Sequence, residues 1–223
     1  MAINLPFFNR QAAALILAKN LSEFKNKPDT YILALVRGGI ITGRILADEL
    51  NLPLYPMVVR KIGHPLQREF GLGAISGRGA MYLDQMTLSD HGLTEKHLEA
   101  IVEEEKRELK RRRGLYYKGP VPQFKDKTII LTDDGAATGV SILATIEDLK
   151  KENTREIIVA LPVCAPDTAA KFKEKASRVI ILATPSPFHA VAEWYKKFPQ
   201  VEDKEVLELL QTTANDRRLK ADN

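Results

Sequence analysis

The chain's most informative segment is Thr128-Ile-Ile-Leu-Thr-Asp-Asp-Gly-Ala-Ala-Thr-Gly-Val-Ser141. Its first residues form a short apolar run, which predicts a strand buried on both faces of a parallel sheet. Asp133 and Asp134 follow this strand, and a turn of small residues then opens a predicted helix over residues 138–152. Because ligands of open α/β sheets bind at the carboxyl ends of the strands, the segment predicts a ligand site there.

The turn after the two acids has the features of a phosphate-binding loop. Gly135 and Gly139 allow the backbone to approach an anion closely, and free N–H groups of the first helical turn can donate to its oxygens. The Thr138 and Ser141 hydroxyls can donate to the same anion. The segment contains neither the Walker A ending Gly-Lys-Ser/Thr nor the dinucleotide pattern Gly-x-Gly-x-x-Gly. Two carboxylates beside a phosphate indicate a ligand with hydroxyl groups and a divalent cation, namely a sugar phosphate with Mg²⁺.

A simpler interpretation of these residues stays open at this point. Asp134 could cap the following helix, with Gly135 serving only as a turn residue. That interpretation leaves the second acid, the second glycine and the two hydroxyls without a role.

On both sides of this segment, short apolar runs alternate with amphipathic stretches. Strands are predicted at residues 31–36, 53–59, 128–131, 156–161 and 178–182. Helices are predicted at residues 10–24, 41–50, 93–113, 138–152, 165–175, 188–197 and 203–213, and Gly114 is expected to end the third of them. This order predicts an α/β fold with a doubly wound, mainly parallel sheet of five strands. Residues 60–89 are glycine-rich and leave open short strands near 74–75 and 81–83 or a long loop.

Composition limits the class of protein. The 223 residues, 44% of them hydrophobic, are typical of one globular domain that can bury a core without disulfides. The single cysteine, Cys164, favours a reducing, cytoplasmic compartment. No apolar run approaches the ~18 residues needed to cross a bilayer, and no signal peptide is expected. A net charge of +4, from 33 basic and 29 acidic side chains, disfavours nucleic-acid binding as the main role.

Residues 128–141 resemble the signature with which type I phosphoribosyltransferases bind phosphoribosyl pyrophosphate (PRPP). That signature consists of apolar residues, two acids, glycine, small residues, Thr-Gly and a hydroxyl. Val36-Arg37-Gly38-Gly39 resembles the pyrophosphate loop of the family, and Val59-Arg60-Lys61 resembles a strand end that supplies a basic contact. With Trp194-Tyr195-Lys-Lys-Phe198-Pro-Gln200, about residues 5–210 resemble the stand-alone bacterial members of this family.

The resemblance implies a transferase in which a ring nitrogen of an acceptor, such as a nucleobase, displaces pyrophosphate from PRPP with Mg²⁺ as cofactor. Asp133 and Asp134 would hold the ribose hydroxyls and contact the metal mainly through PRPP. The reactive set would be these two acids with Arg37 and Lys61. The resemblance implies that the pyrophosphate faces Arg37, Gly38, Gly39 and Lys61, that the 5′-phosphate lies against Gly135, Ala136, Ala137, Thr138, Gly139 and Ser141, and that the acceptor pocket is lined by Phe188 or Trp194.

The resemblance also implies a single domain over residues 1–223 with a core at about 28–184. Residues 1–27 and 185–214 would form a hood, residues 60–119 a long lid or insert, and a homodimer is compatible with this architecture. The alternative is a regulatory protein of the same fold that senses PRPP or a nucleotide. Such a sensor would bind RNA or a protein partner through the basic end of the helix at 93–113. The retained Arg37-Gly38-Gly39 turn favours the enzyme.

Overall fold

The structure, a computed structural model, describes residues 3–117, 119 and 122–211, except for the side chain of Glu69. The strands in this part of the chain are β1 (Thr30–Val36), β2 (Leu54–His64), β3 (Gln67–Ser76), β4 (Met81–Leu83), β5 (Thr128–Thr132), β6 (Glu156–Val163) and β7 (Arg178–Ala183). The α-helices are α1 (Arg10–Asn20), α2 (Gly39–Leu50), α3 (Gln85–Asp90), α4 (Glu95–Tyr116), α5 (Val140–Lys151), α6 (Pro166–Lys175) and α7 (Asp203–Gln211). None of these helices combines the length and apolarity that a bilayer crossing requires. The predicted end of the last helix at Thr213 lies outside the described residues.

The strands form one sheet in the order β4-β3-β2-β1-β5-β6-β7. Strands β2, β1, β5, β6 and β7 are mutually parallel, so the predicted doubly wound α/β fold is confirmed. Residues of α1, α2, α4 and α7 share one hydrophobic core, and residues of α5 and α6 share a second. Successive residues of β1 alternate between them, with Ile32 in the first core and Leu33 in the second. The sheet therefore separates two cores, which explains why its central strands are apolar throughout.

The prediction of five strands is wrong, because the glycine-rich segment after Val59 continues the sheet. β2 extends to His64, and β3 turns back and pairs antiparallel with both β2 and β4. A Cβ atom at Gly73 would lie 2.6 Å from Leu83 Cδ2, and one at Gly63 would lie 2.9 Å from Arg68 Cα. These glycines allow neighbouring backbones and side chains to approach closely, a use that composition does not distinguish from a loop.

The predicted end of the long helix at Gly114 is also wrong. α4 passes through Gly114 and ends at Tyr116. The Tyr116 side chain is buried, and its hydroxyl donates to Asp203 Oδ1 at 2.6 Å. This anchor to the start of α7 stabilises the last turn and outweighs the weak helix propensity of glycine.

The predicted helix at 188–197 is wrong, since the structure has only a short 3₁₀ turn at Val191–Trp194. Its backbone pairs with the N-terminal segment instead. The Phe7 N–H donates to the Trp194 carbonyl, and the Lys196 N–H donates to the Phe7 carbonyl, each at 2.8 Å. This pairing satisfies backbone groups that a helix would have satisfied internally. We refer to residues 188–201, which are part of the predicted hood, as the hood segment.

Candidate functional site

The carboxyl ends of β1 and β5 lie side by side, because the two strands pair in parallel with Ala34 opposite Thr132. The segments that follow, Arg37-Gly38-Gly39 and Asp133-Asp134, are consequently in close contact. A Cβ atom at Gly39 would lie 2.7 Å from Asp133 Oδ1, and one at Gly38 would lie 3.0 Å from Asp134 Cγ. The Val36–Arg37 peptide bond is cis. The fold thus joins two loops that are far apart in the sequence.

Asp133 and Asp134 line a cleft of about 740 Å³. Asp134 is 9% exposed, and its N–H donates to Asp133 Oδ1 at 2.8 Å. Burial, together with the negative charge of Asp134, raises the pKa of Asp133 well above its ordinary value. Burial also raises the pKa of Asp134, and the Arg10 guanidinium opposes that rise. Such a pair of perturbed carboxyl groups in a cleft is typical of a functional site.

Replacing Asp133 with asparagine should stabilise the ligand-free protein at neutral pH. A raised pKa means that the folded protein holds the proton more tightly than the unfolded chain, so Asp133 lowers the free energy of unfolding as the pH rises. Asparagine is uncharged and keeps an oxygen for the Asp134 N–H. We expect a higher Tm than wild type at about pH 7.5, and a difference that shrinks toward about pH 4, where the unfolded carboxyl protonates. Thermal melts in EDTA measure this, and a variant less stable than wild type at both pH values would contradict it.

Asp134 is held by Arg10, which no sequence motif identified, and by two aromatic residues, Tyr195 and Phe198, that were noted only as part of the family resemblance. Arg10, only 5% exposed, donates from Nε to Asp134 Oδ2 at 2.7 Å and from Nη1 to the Pro199 carbonyl at 2.8 Å. Its Cζ lies 3.6 Å from the centre of the Phe198 ring, on which Tyr195 stacks at 5.0 Å. The Tyr195 hydroxyl donates to the Asp134 carbonyl at 2.5 Å. Arg10, Phe198 and Tyr195 therefore form a closed ring of contacts on Asp134, which we call the Asp134 clamp.

One feature of the sequence could have identified Arg10. It is the first residue of α1, directly after the N-cap Asn9, whose side chain accepts the Ala12 N–H at 2.8 Å. The helix dipole disfavours a cation in the first turn, so an arginine there suggests an acidic partner elsewhere in the fold. Tyr195 carries no comparable signal, because a single aromatic residue is usually explained by packing.

Residues 135–141 wrap part of the cleft at the start of α5. The loop is held from behind, because the Ala136 N–H donates to the Val163 carbonyl at 3.0 Å and the Thr168 hydroxyl donates to the Ala137 carbonyl. Gly139, at φ +70°, is the N-cap of α5, and no side chain caps this helix. The first N–H groups of α5 have no hydrogen-bond partner within the helix. They border the cleft, where an anion can accept hydrogen bonds from them. The interpretation of Asp134 as a helix cap is wrong.

Two of the predicted basic residues, Arg37 and Lys61, also line the cleft. Arg37 Nη1 lies 3.5 Å from Glu202 Oε2 and 3.6 Å from Asp203 Oδ1, at the start of α7. For Lys61, no carboxylate in the described part of the chain lies within 4.0 Å of its Nζ. Arg37 is thus partly neutralised, whereas Lys61 brings a positive charge to the cleft.

The predicted acceptor residues Phe188 and Trp194 are not among those that line the cleft. Their rings pack on each other with centres 5.8 Å apart, in a small hydrophobic cluster that includes Phe7 and Tyr195. The hood segment instead contributes His189, Ala190, Val191, Ala192, Phe198, Pro199, Gln200 and Val201. Gly39 contacts Asp133 without lining the cleft itself.

The two carboxylates do not form a complete metal centre on their own. Within the described residues, no group of three or more His, Cys, Asp or Glu side chains is arranged to hold an ion. One oxygen of Asp134 is already engaged by Arg10. Because Mg²⁺ is commonly held by one or two carboxylates together with substrate phosphates, Asp133 and Asp134 fit this ion only with a ligand's oxygens beside them.

Comparisons with known proteins match most of this chain, including both acids of the cleft. A family model described as a phosphoribosyl transferase domain matches residues 5–197. Two Mycobacterium tuberculosis proteins, from strains CDC 1551 and H37Rv, are provisionally assigned as phosphoribosyl transferases and are 31% identical to this chain over 212 residues. The alignments cover 94% of this chain and 47% of theirs, so the chain spans about half the length of these curated relatives. The crystal structure of TT1426 from Thermus thermophilus is similar, with a TM-score of 0.75 and 31% identity over 92% of this chain and 97% of that one.

Proposed function

The chain belongs to the phosphoribosyltransferase family, and we propose that it transfers phosphoribose from PRPP to a ring nitrogen of a nucleobase-like acceptor, releasing pyrophosphate. The observation that carries this proposal is the composition of one cleft, which joins an uncapped helix N-terminus, two adjacent carboxylates and three basic side chains, Arg10, Arg37 and Lys61. PRPP has a matching phosphate, a pair of hydroxyls and a pyrophosphate. Cytoplasmic location and a homodimer stay predictions.

Each part of PRPP then has a partner in this chain. The 5′-phosphate accepts hydrogen bonds from the first turn of α5 and from the Thr138 and Ser141 hydroxyls. The ribose hydroxyls donate to Asp133 and Asp134. The pyrophosphate lies along Arg37 and Gly38, with Lys61 as its second basic contact. When bound, Mg²⁺ would be held by the two carboxylates mainly through oxygens of PRPP, and it would supply further neutralisation of the pyrophosphate charge.

Catalysis in this proposal is electrostatic. Breaking the bond at the ribose C1 moves negative charge onto the pyrophosphate and leaves positive charge on the ribose ring. Arg37 and Lys61 stabilise the first of these charges, and Asp133 and Asp134 stabilise the second. The burial that makes the acid pair unfavourable in the free protein strengthens its attraction for a positive ring, because the surroundings screen charge weakly.

The test is a screen of nucleobases with PRPP and Mg²⁺ that detects released pyrophosphate. We expect pyrophosphate to be released only when one class of acceptor is present. In Lys61→Met, kcat/KM should fall by about 10- to 100-fold. Lys106→Met is the matched control, since Lys106 is exposed on α4 and pairs with Glu103 outside the cleft. Binding of PRPP without release of pyrophosphate from any acceptor would favour the sensor over the enzyme.

Arg37→Ala should weaken binding of pyrophosphate more than binding of a nucleoside 5′-monophosphate. The arginine is expected to contact the leaving group, which the monophosphate lacks. A charge-assisted hydrogen bond contributes about 1.5–3 kcal/mol, so we expect a loss of roughly tenfold or more for pyrophosphate only. Calorimetric titration with both ligands measures the difference. Equal fractional losses would mean that Arg37 acts through its ion pairs with Glu202 and Asp203, and thus through stability.

The basic end of α4 should not bind nucleic acid, as the regulatory alternative would require. Glu108 pairs with Arg111 at 2.7 Å and with Arg112 at 2.8 Å, so much of the positive charge is neutralised within the helix. We expect no measurable affinity for RNA or DNA at physiological ionic strength in a fluorescence anisotropy assay. A micromolar affinity that falls steeply with salt and is lost on neutralising Arg111 and Arg112 would contradict this and support the regulatory alternative.

A further inference from the structure

We propose that Arg10 is a positioning residue, which orients the Asp134 carboxylate toward the ribose and links it to the hood segment. This inference rests on the proposed function. Arg10 lines the cleft, yet it lies in the first helix, outside every motif that the family resemblance identifies.

The orientation follows from the hydrogen bonds of the carboxylate. Asp134 Oδ2 accepts the Arg10 Nε–H at 2.7 Å, and this bond restrains the orientation of the carboxylate. The adjacent acid is oriented differently, because Asp133 Oδ1 accepts the Asp134 N–H at 2.8 Å. Each acid of the pair therefore has one oxygen held by the protein. Two neighbouring hydroxyls of a ribose can donate to the two remaining oxygens.

The link to the hood segment follows from the other contacts of the guanidinium. Arg10 Nη1 donates to the Pro199 carbonyl at 2.8 Å, and the guanidinium Cζ lies over the Phe198 ring. Phe198, Pro199, Gln200 and Val201 all line the cleft. Tyr195 completes the Asp134 clamp, because its hydroxyl donates to the backbone carbonyl of the same aspartate. A shift of the hood segment therefore moves the carboxylate that is expected to bind the ribose.

Arg44 shows that a buried arginine in an ion pair is not by itself a feature of the site. Arg44 is 6% exposed and pairs with Asp48 one turn along α2, away from the cleft. Its partner is exposed, whereas both Arg10 and Asp134 are buried. The two arginines are therefore a matched pair, alike in burial and different in their position relative to the cleft.

The experiment compares Arg10→Ala with Arg44→Ala by titration with three ligands, namely PRPP, ribose 5-phosphate and pyrophosphate, all with Mg²⁺. For Arg10→Ala we expect affinity for PRPP and ribose 5-phosphate to fall roughly tenfold or more, the effect of losing a charge-assisted contact. Affinity for pyrophosphate should stay within about twofold, because its expected contacts are Arg37 and Lys61. Added methylguanidinium should restore ribose 5-phosphate binding. Arg44→Ala should lower the Tm without changing any of the three affinities.

Two further variants separate positioning from a structural role. In an Asp134→Asn background, removing Arg10 should cause no further loss of ribose 5-phosphate affinity, since the group it orients is altered. If Arg10→Ala does not fold, Arg10→Lys takes its place, and it should show the same selective loss in smaller degree. Equal losses for all three ligands, or no loss for any, would overturn the proposal. Failure of the wild-type protein to bind PRPP or ribose 5-phosphate would instead overturn the proposed function and this inference with it.

Discussion

The double variant Asp133→Asn/Asp134→Asn should lose affinity for PRPP by about 10²- to 10⁴-fold and still fold. Two ribose hydroxyls that donate to carboxylates would each lose a charge-assisted bond of about 1.5–3 kcal/mol. Asparagine has nearly the same shape and keeps one acceptor oxygen, so the packing around the strand end is preserved. The burial that raises the pKa of Asp133 opposes its charge in the free protein, so folding does not depend on this charge.

The measurement is the rise in Tm that PRPP with Mg²⁺ causes, since a ligand of the native state stabilises it in proportion to its affinity. Asp148→Asn is the matched control. Asp148 is 4% exposed on α5, accepts the Ala80 N–H at 2.8 Å and does not line the cleft. We expect a normal PRPP response from this control and none from the double variant. Equal responses from wild type and the double variant would refute the role proposed for both acids.

The sequence was sufficient for the features that depend on short segments. Residues 31–36 and 128–131 are apolar runs, and the parallel strands form there because both faces are covered by helices. The carboxyl ends of parallel strands meet at one edge, so the segments at Arg37 and Asp133 could be expected to lie together. Both segments do line the same cleft.

Features that depend on distant residues could not be predicted in this way. The glycines at 63 and 73 lie in paired strands, where their use is set by Arg68 and Leu83 and not by their own sequence neighbours. The hood segment has a helical pattern of apolar residues. Its backbone nevertheless forms hydrogen bonds with the backbone of Phe7, near the other end of the described chain. The partner of Arg10 belongs to this class: its place in the first turn of α1 suggests an acidic partner, but Asp134 lies 124 residues away.

Gly39→Ala should weaken PRPP binding strongly and destabilise the fold by about 1–3 kcal/mol, the usual effect of inserting an atom into a packed site. Urea denaturation and PRPP titration measure the two effects. Gly114→Ala is the matched control. Gly114 lies inside α4 with no atom within 4 Å of a Cβ placed there, so alanine should stabilise this variant by about 0.5–1 kcal/mol.

The comparison isolates a single contact, because both glycines lie within helices. Alanine favours the helix more than glycine does, so propensity alone predicts a gain in stability at either position. At Gly39 the added Cβ would lie 2.8 Å from Asp133 Cα, a backbone atom that cannot rotate away. The ends of β1 and β5 would have to separate, and the two loops expected to hold pyrophosphate and ribose would separate with them. A Gly39→Ala protein as stable as Gly114→Ala, with normal PRPP affinity, would show that the close approach of these strand ends is not required.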